Sequence, residues 1–466
     1  MLGAIKLKRP AIGAIAGVVL WAPSACADTL EGSLVLAYQN NPSLNAQRAS
    51  VRATDEGVPQ ALSGYRPRVT VNGSIGQQYL DSTTRTSTTH ATYTQLSGTM
   101  TPSNFGITAT QTLYNGFQTS NKTRQAESQV QAARETLRVT EQTVLLNAVT
   151  AYMNLLRDGA ILDLQRRNVE VLQEQLRQTR DRFNVGEVTR TDVAQSESRL
   201  ASGRSQVLSA EATYKASVAT YRQVIGVEPG KLTPGSPVDR FSPQNLPASV
   251  GVATATHPAV TSAQYNVDAA LLQVKVAEGA LYPTLALQGN VQQSYEISLL
   301  QLKQFNASVL GQLTVPIYQG GAEYSLIRQA KETLGQQRLT LDTARDQVRQ
   351  TVVQSWGQLD AAKANIEATQ AQVQASEIAL NGVREEARVG QRTTLDVLNA
   401  QQELVNARVA LVSAQRDRVV ASYTLLASVG RLSPQVLGLR VPVYDSNVHY
   451  QQVRDTWAGV RTPDGR

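Results

Sequence analysis

Val389-Gly390-Gln391-Arg392-Thr393-Thr394-Leu395-Asp396-Val397 repeats a stretch that the chain has already used 204 residues earlier, Val185-Gly186-Glu187-Val188-Thr189-Arg190-Thr191-Asp192-Val193. In both copies a long helical pattern runs up to a glycine, Gly186 or Gly390, the residue type that suits the left-handed position just past a helix end. A new helix then starts at once. Thr189 and Thr393 read as N-caps, with Asp192 and Asp396 three residues on to complete a capping box. Each copy is therefore a helical hairpin, and the chain is a duplicated half-molecule.

The same offset relates Tyr114-Asn115-Gly116 to Tyr318-Gln319-Gly320, and Gly226 to Gly430. Upstream it becomes 216, relating Pro42, Pro67 and Gly73 to Pro258, Pro283 and Gly289, so the first copy carries 12 extra residues between Pro67 and Tyr114. The resulting division is a leader over 1–27, a first repeat over 28–226 and a Pro-rich linker over 227–256. A second repeat over 257–430 and an equatorial segment with a tail over 431–466 complete it. Within the repeats, strand pairs are expected near 68–115 and 284–316, long helices over 118–185 and 321–389, and shorter helices over 189–226 and 393–430.

Lys6, Lys8 and Arg9 precede an apolar run from Ala11 to Trp21 and the small-residue site Ala25-Cys26-Ala27, the pattern of a secretory signal peptide cut before Asp28. The apolar run is far short of the ~20 residues of a membrane anchor. Cys26 as a lipid acceptor is the alternative, against which Pro23 stands where such signals usually carry leucine. Cys26 is the single cysteine, so a chain cut before Asp28 has no disulfide or thiolate metal site. The formal charge of +7 loses three positive charges with the leader, and the rest are interspersed along helices, which excludes a nucleic-acid footprint. His90, His257 and His449 lack ligand spacing, and His257 before Pro258 reads as a helix start. No phosphate loop, dinucleotide fingerprint or nucleophile motif is present, so neither an enzyme nor a cofactor is expected.

Four stretches alternate with period two. Val69, Val71, Gly73, Ile75, Gln77 and Tyr79 form one face against Thr70, Asn72, Ser74, Gly76 and Gln78, and the duplicate sets Leu285, Leu287, Gly289, Val291, Gln293 and Tyr295 against a polar face including Gln288. Partner strands are expected near 105–113 and 307–315. Their length and alternation fit a lipid-facing barrel wall, with Val71 and Leu287 toward lipid, and equally a half-buried sheet. Four strands cannot close a barrel, and open edges are not tolerated in lipid, so several chains must contribute. Two would give eight strands and a filled interior; three give twelve and a lumen.

The long helices would each span about 100 Å. Leu359, Ile366, Val373, Leu380 and Ala387 recur every seven residues, as do Leu155, Leu162, Val169, Leu176 and Phe183, the mark of coiled-coil packing. A second seam of small residues, Ala361, Ala364, Ala368, Ala371, Ala375, Ile378 and Gly382, lies ~200° around the helix. Neighbours on two opposite sides and polar residues between them place such a helix in the wall of a hollow cylinder. Between Ser355 and Leu359 the repeat slips by four, a stutter at which packing changes. The shorter helices should stack end to end beside each long one. The tail from Asp445 is expected to be mobile.

These runs, with Arg182-Phe183-Asn184-Val185-Gly186, Pro316-Ile317-Tyr318-Gln319-Gly320-Gly321 and Leu395-Asp396-Val397-Leu398, resemble the TolC-like outer-membrane efflux and secretion factors over nearly the whole mature chain. The fold expected is mainly α with β: a duplicated helical-hairpin coiled coil forming a periplasmic α-barrel, plus four strands per chain in a trimeric 12-stranded outer-membrane β-barrel. The resemblance implies a homotrimeric exit duct in the outer membrane of a Gram-negative bacterium. A periplasmic adaptor and an inner-membrane ABC exporter or proton-driven pump would dock at the turns around Gly186 and Gly390. It also implies that Arg392 and its acidic partner Asp192 link neighbouring hairpins, and that Asp396 lines the constriction. The chain departs from the best-known members at Ala387, where a gating tyrosine is expected, and at Asn399, where a second acidic ring would sit. The alternative, a periplasmic coiled-coil adaptor or structural envelope protein without a pore, would share the helices and lack the paired strands.

Overall fold

The computed structural model describes residues 29–86, 89, 92–463 and 465; the leader with Cys26, and His90, lie outside them. Thr29 opens α1 (Leu30–Asn40) by accepting the amide of Gly32 at 3.1 Å. Asn41 opens α2 (Pro42–Asp55) by taking the amides of Ser43 and Leu44, with proline at a position that needs no amide partner. A short α3 (Gly57–Leu62) leads into β1 (Arg68–Ile75). Then come β2 (Gln78–Arg85), β3 (Tyr93–Met100) and β4 (Ser103–Asn115). The long α4 (Gln118–Asn184) and α5 (Arg190–Ile225) form the first hairpin.

The second copy runs α6 (Leu246–Thr256), α7 (Pro258–Gly279), β5 (Thr284–Ser298), β6 (Gln301–Thr314), α8 (Ala322–Arg388) and α9 (Thr394–Ser428). Both long helices have 67 residues, about 100 Å at ~1.5 Å each. Among the described residues no helix is long and apolar enough to cross a membrane.

Two expectations change. The last eleven residues of the segment read as a linker are α6, the duplicate of α1, so the second copy starts at its N-cap Asn245. Proline count misleads there, because Pro247 lies in the first helical turn, where proline is tolerated. The strand expected from Val69 to Tyr79 also breaks after Ile75, and Tyr79 belongs to β2. Across from the break stands Pro102, which has no amide to continue the ladder; its carbonyl takes the amide of Gly76 at 3.0 Å and the pairing ends. The segment that carries the 12 extra residues thus forms a separate β2–β3 hairpin beyond the main sheet.

That sheet has the order β1-β4-β5-β6, antiparallel throughout. Where strands hand over to α4, Gly116 has φ +62, and a Cβ there would lie 2.3 Å from the carbonyl oxygen of Gly279. Gly320 and Gly321 supply the corresponding left-handed positions before α8.

The main core lies at the waist, where short helices abut. Leu34, Leu145, Tyr152, Tyr221 and Leu426 bring α1, α4, α5 and α9 together, and Val260, Val352, Leu359 and Leu425 do the same for α7, α8 and α9. End-to-end stacking is fixed by Asn41 Nδ2, which donates to the carbonyl of Val224 at 3.1 Å. Leu341, Val348, Ser355 and Leu359 are all buried across the stutter, at the level where α8 exchanges α7 for α9 as its neighbour.

The linker and tail wrap this waist: Tyr152 donates to the carbonyl of Thr233 at 2.6 Å, and Ser422 Oγ takes the amide of Val238 at 3.1 Å. The tail, expected to be mobile from Asp445, carries α10 (Ser446–Val453) and is docked as far as Trp457, on whose ring Arg66 lies. Buried His449 meets buried Asp55 of α2 at 3.1 Å, and Arg66 donates to the carbonyl of Thr456 at 2.7 Å.

Candidate channel wall and entrance

Register sorts the sheet into two chemically different faces. Rows of directly opposed residues read Val71, Ile107, Val291, Ala307; Val69, Ala109, Gly289, Val309; and Gly73, Phe105, Gln293, Phe305. Leu287 sits on this face between Gln111 and Gly311. The opposite face reads Asn72, Gly106, Gln292, Asn306 and Thr70, Thr108, Asn290, Ser308, cross-linked by Thr108 to Asn290 at 3.3 Å and Gln292 to Asn104 at 3.4 Å. The apolar face is bare, with Val71 74 % exposed. Among the described residues β1 and β6 each pair on one side only, so both edges of the sheet are open.

At the far end of the coils each hairpin turns through a glycine at φ +80, with Gly186 and Gly390 placed alike. The amide of Glu187 bonds the carbonyl of Arg182, and that of Gln391 the carbonyl of Glu386, both at 2.9 Å, closing the helix ends as Schellman motifs. The next helices start with the expected capping boxes. Asp192 Oδ2 accepts from the Thr189 amide at 2.9 Å and its hydroxyl at 2.6 Å; Asp396 Oδ2 accepts from the Thr393 amide at 3.0 Å and hydroxyl at 2.9 Å. The Thr189 hydroxyl, then its amide, hold the Asp192 carboxyl below the usual range, and the Thr393 amide, then its hydroxyl, do so for Asp396. Both caps use Oδ2 alone, which leaves Oδ1 of each carboxylate outside the cap.

Asp192 and Arg392 line one groove between the two turns of the chain. They are not paired within it: Arg392 Nε donates to Glu386 Oε2 at 2.8 Å, inside its own hairpin. Asn399 is reached from the other hairpin, accepting from Arg199 at 2.7 Å. Leu398 beside it packs with Leu172, Leu176 and Leu200, so the two coils touch at this level. Sequence reading missed Arg199, Glu386 and the pair Arg182–Glu187 at 3.0 Å. A different pairing did carry a sequence signal: Arg180–Glu197 and Arg384–Gln401 are bonded with the same 17-residue separation, 204 residues apart. The long seam of α8 is covered inside the chain at Leu359, Ala362, Thr369 and Leu380, whereas the small-residue seam is open, with Ile378 74 % exposed.

Residues 34–227 and 250–431 match the family model described as outer membrane efflux protein. The outer membrane efflux protein BepC of Brucella suis biovar 1 is 44% identical over 453 residues, 97% of this chain and 96% of that one. Outer membrane protein TolC of Escherichia coli K12 is 29% identical over 317 residues, 65% of this chain and 64% of that one. A solved structure of CusC superposes with a TM-score of 0.73 at 17% identity, covering 92% of this chain and 99% of that one.

Proposed function

The chain belongs to the outer membrane efflux protein family, and from that premise we propose that three copies close a 12-stranded barrel and a periplasmic tunnel that together form the exit duct of an efflux or type I secretion machine. The protein resides in the outer membrane and extends into the periplasm. The observation that carries the assembly is the sheet: a bare apolar face, a polar face behind it and two open edges. Lipid tolerates the first only if the edges are closed by neighbours. Strand direction alternates from β1 to β6, so β6 of one copy meets β1 of the next antiparallel, and the ladder continues round the ring without a break. The open small-residue seam of α8 is the matching surface for a neighbour's helix below the barrel.

The polar face then lines the lumen, and transport is passive. Arg392 linked to Asp192 of a neighbouring hairpin, Asp396 at the constriction and Asn399 above it form the entrance. The turns at Gly186 and Gly390 receive a periplasmic adaptor and, through it, an inner-membrane ABC exporter or proton-driven pump. Capping and gating are compatible roles for Asp192 and Asp396, because the caps occupy one oxygen of each. The protein should run as a heat-resistant trimer from outer-membrane extracts and give stepwise conductance in planar bilayers. A monomer without conductance overturns the assembly.

A further inference from the structure

The two hairpin tips share a fold but not a charge order. Under the 204-residue offset Arg182 falls on Glu386, Glu187 on Gln391 and Val188 on Arg392. In the first tip the helix carries the cation and the turn the anion, Arg182 to Glu187 at 3.0 Å; in the second the helix carries the anion and the turn the cation, Glu386 to Arg392 at 2.8 Å. The second pair is therefore not a relic of the duplication. Glu386 stands where it can hold one residue, the arginine of the entrance.

We propose that Glu386 is a positioning residue of the gate: it competes with Asp192 of the neighbouring hairpin for Arg392, holding the arginine inside its own hairpin when the entrance is open and yielding it when the entrance closes. The inference rests on the reading of Arg392 as a link between hairpins. Glu386 is exposed, and Asp192, which lines the groove with Arg392, is half-buried at its edge, so neither pairing is deeply favoured and small changes redistribute the arginine between them. Asp192 enters the competition with the oxygen its cap leaves unused. The other arginines lining the groove are held elsewhere, Arg182 by Glu187, Arg388 by Glu385 and Arg384 by Gln401, which keeps the Asp192 position open to Arg392.

The competition has a sign that a structural role would not reproduce. Removing Glu386 releases Arg392 to the latch, so Glu386→Gln should lower the conductance or open probability of full-length trimers in planar bilayers by about two- to fivefold. Arg392→Ser should raise it, and the double variant Glu386→Gln with Arg392→Ser should match Arg392→Ser alone, since Glu386 acts only through the arginine. The effect of Glu386→Gln should shrink in 1 M salt, where the Debye length falls to ~3 Å. If Arg392→Ser raises conductance while Glu386→Gln leaves it unchanged or raises it too, Glu386 is not a competitor and the inference falls. If Arg392→Ser changes nothing, the latch reading itself fails, and the inference with it.

Discussion

Changing Val71 to arginine tests the barrel at the point where register makes the strongest statement. Leu285 to Tyr295 on β5 spans ten residue steps of paired strand, about 34 Å at ~3.4 Å each. A tilt of about 40° reduces that to roughly 26 Å of depth, the height of an apolar barrel band. The middle falls at Asn290, and Val71 lies in the adjacent row with Ile107, Val291 and Ala307. Leu287 is three steps from the middle, about 8 Å off in depth by the same geometry. Arginine on the lipid face costs about 2–4 kcal/mol at the midplane and falls toward zero at the interfaces, so Val71→Arg and Leu287→Arg should both impair assembly. Three copies per barrel place Val71→Arg at roughly 6–12 kcal/mol per trimer, comparable to the whole stability margin of a folded protein. Asn72→Arg and Gln288→Arg, on the polar face, should assemble. The assay is the yield of heat-resistant trimers in the outer-membrane fraction. Equal assembly of all four variants refutes the lipid assignment, and failure of the polar-face pair alone would mean that the faces are reversed.

Ala368→Leu with Ala371→Leu should lower trimer melting, since overpacking a narrow seam costs about 1–3 kcal/mol, and should leave the fold of the chain intact because both alanines are exposed within it; Gln370→Leu with Gln372→Leu should be mild by the same melts. Arg392→Ser with Asp192→Ala should raise single-channel conductance and Asp396→Ala should abolish block by multivalent cations, with Thr189→Ala as the control that removes a cap without a charge. His257 caps α7 by accepting the Ala259 amide on Nδ1 at 3.1 Å, and burial holds its pKa below the ordinary value of about 6.5. Its contribution is therefore complete above that value and lost as pH falls through the depressed one; His257→Asn, which still caps, should flatten the acid limb of a melting-temperature profile.

What was legible in the sequence is what is local. The capping boxes at Thr189 and Thr393 need three residues, the sheet faces need alternation, and the heptads of α4 and α8 need one helix. The break at Ile75 was hidden because its cause, Pro102, faces it across a hairpin whose length the sequence does not announce. Helix α6 was hidden by proline composition, although the 216-residue offset carries Thr29 onto Asn245 and would have shown it. Arg199 bonding Asn399 across 200 residues of chain had no sequence signal, because two exposed polar residues on different helices read as solvated faces.

A different kind of residue shows its periodicity in the sequence and still finds no cover within the chain. Val71, Phe305 and Val309 on the sheet, and Ala368, Ala371 and Ile378 on α8, follow periodicities as regular as those of the buried seams, yet all are exposed. Burial pattern is set by whatever finally covers a surface, and periodicity registers that surface whether the cover is the same chain, a second copy or lipid. The two sets differ in the way such covers should differ. The α8 seam is built of small residues, which admit another helix at close range, and the sheet face is built of branched and aromatic ones, which need only an apolar medium. Exposure in the single chain, set against regular patterning in the sequence, thus separates a helix surface suited to another copy from a strand surface suited to an apolar medium.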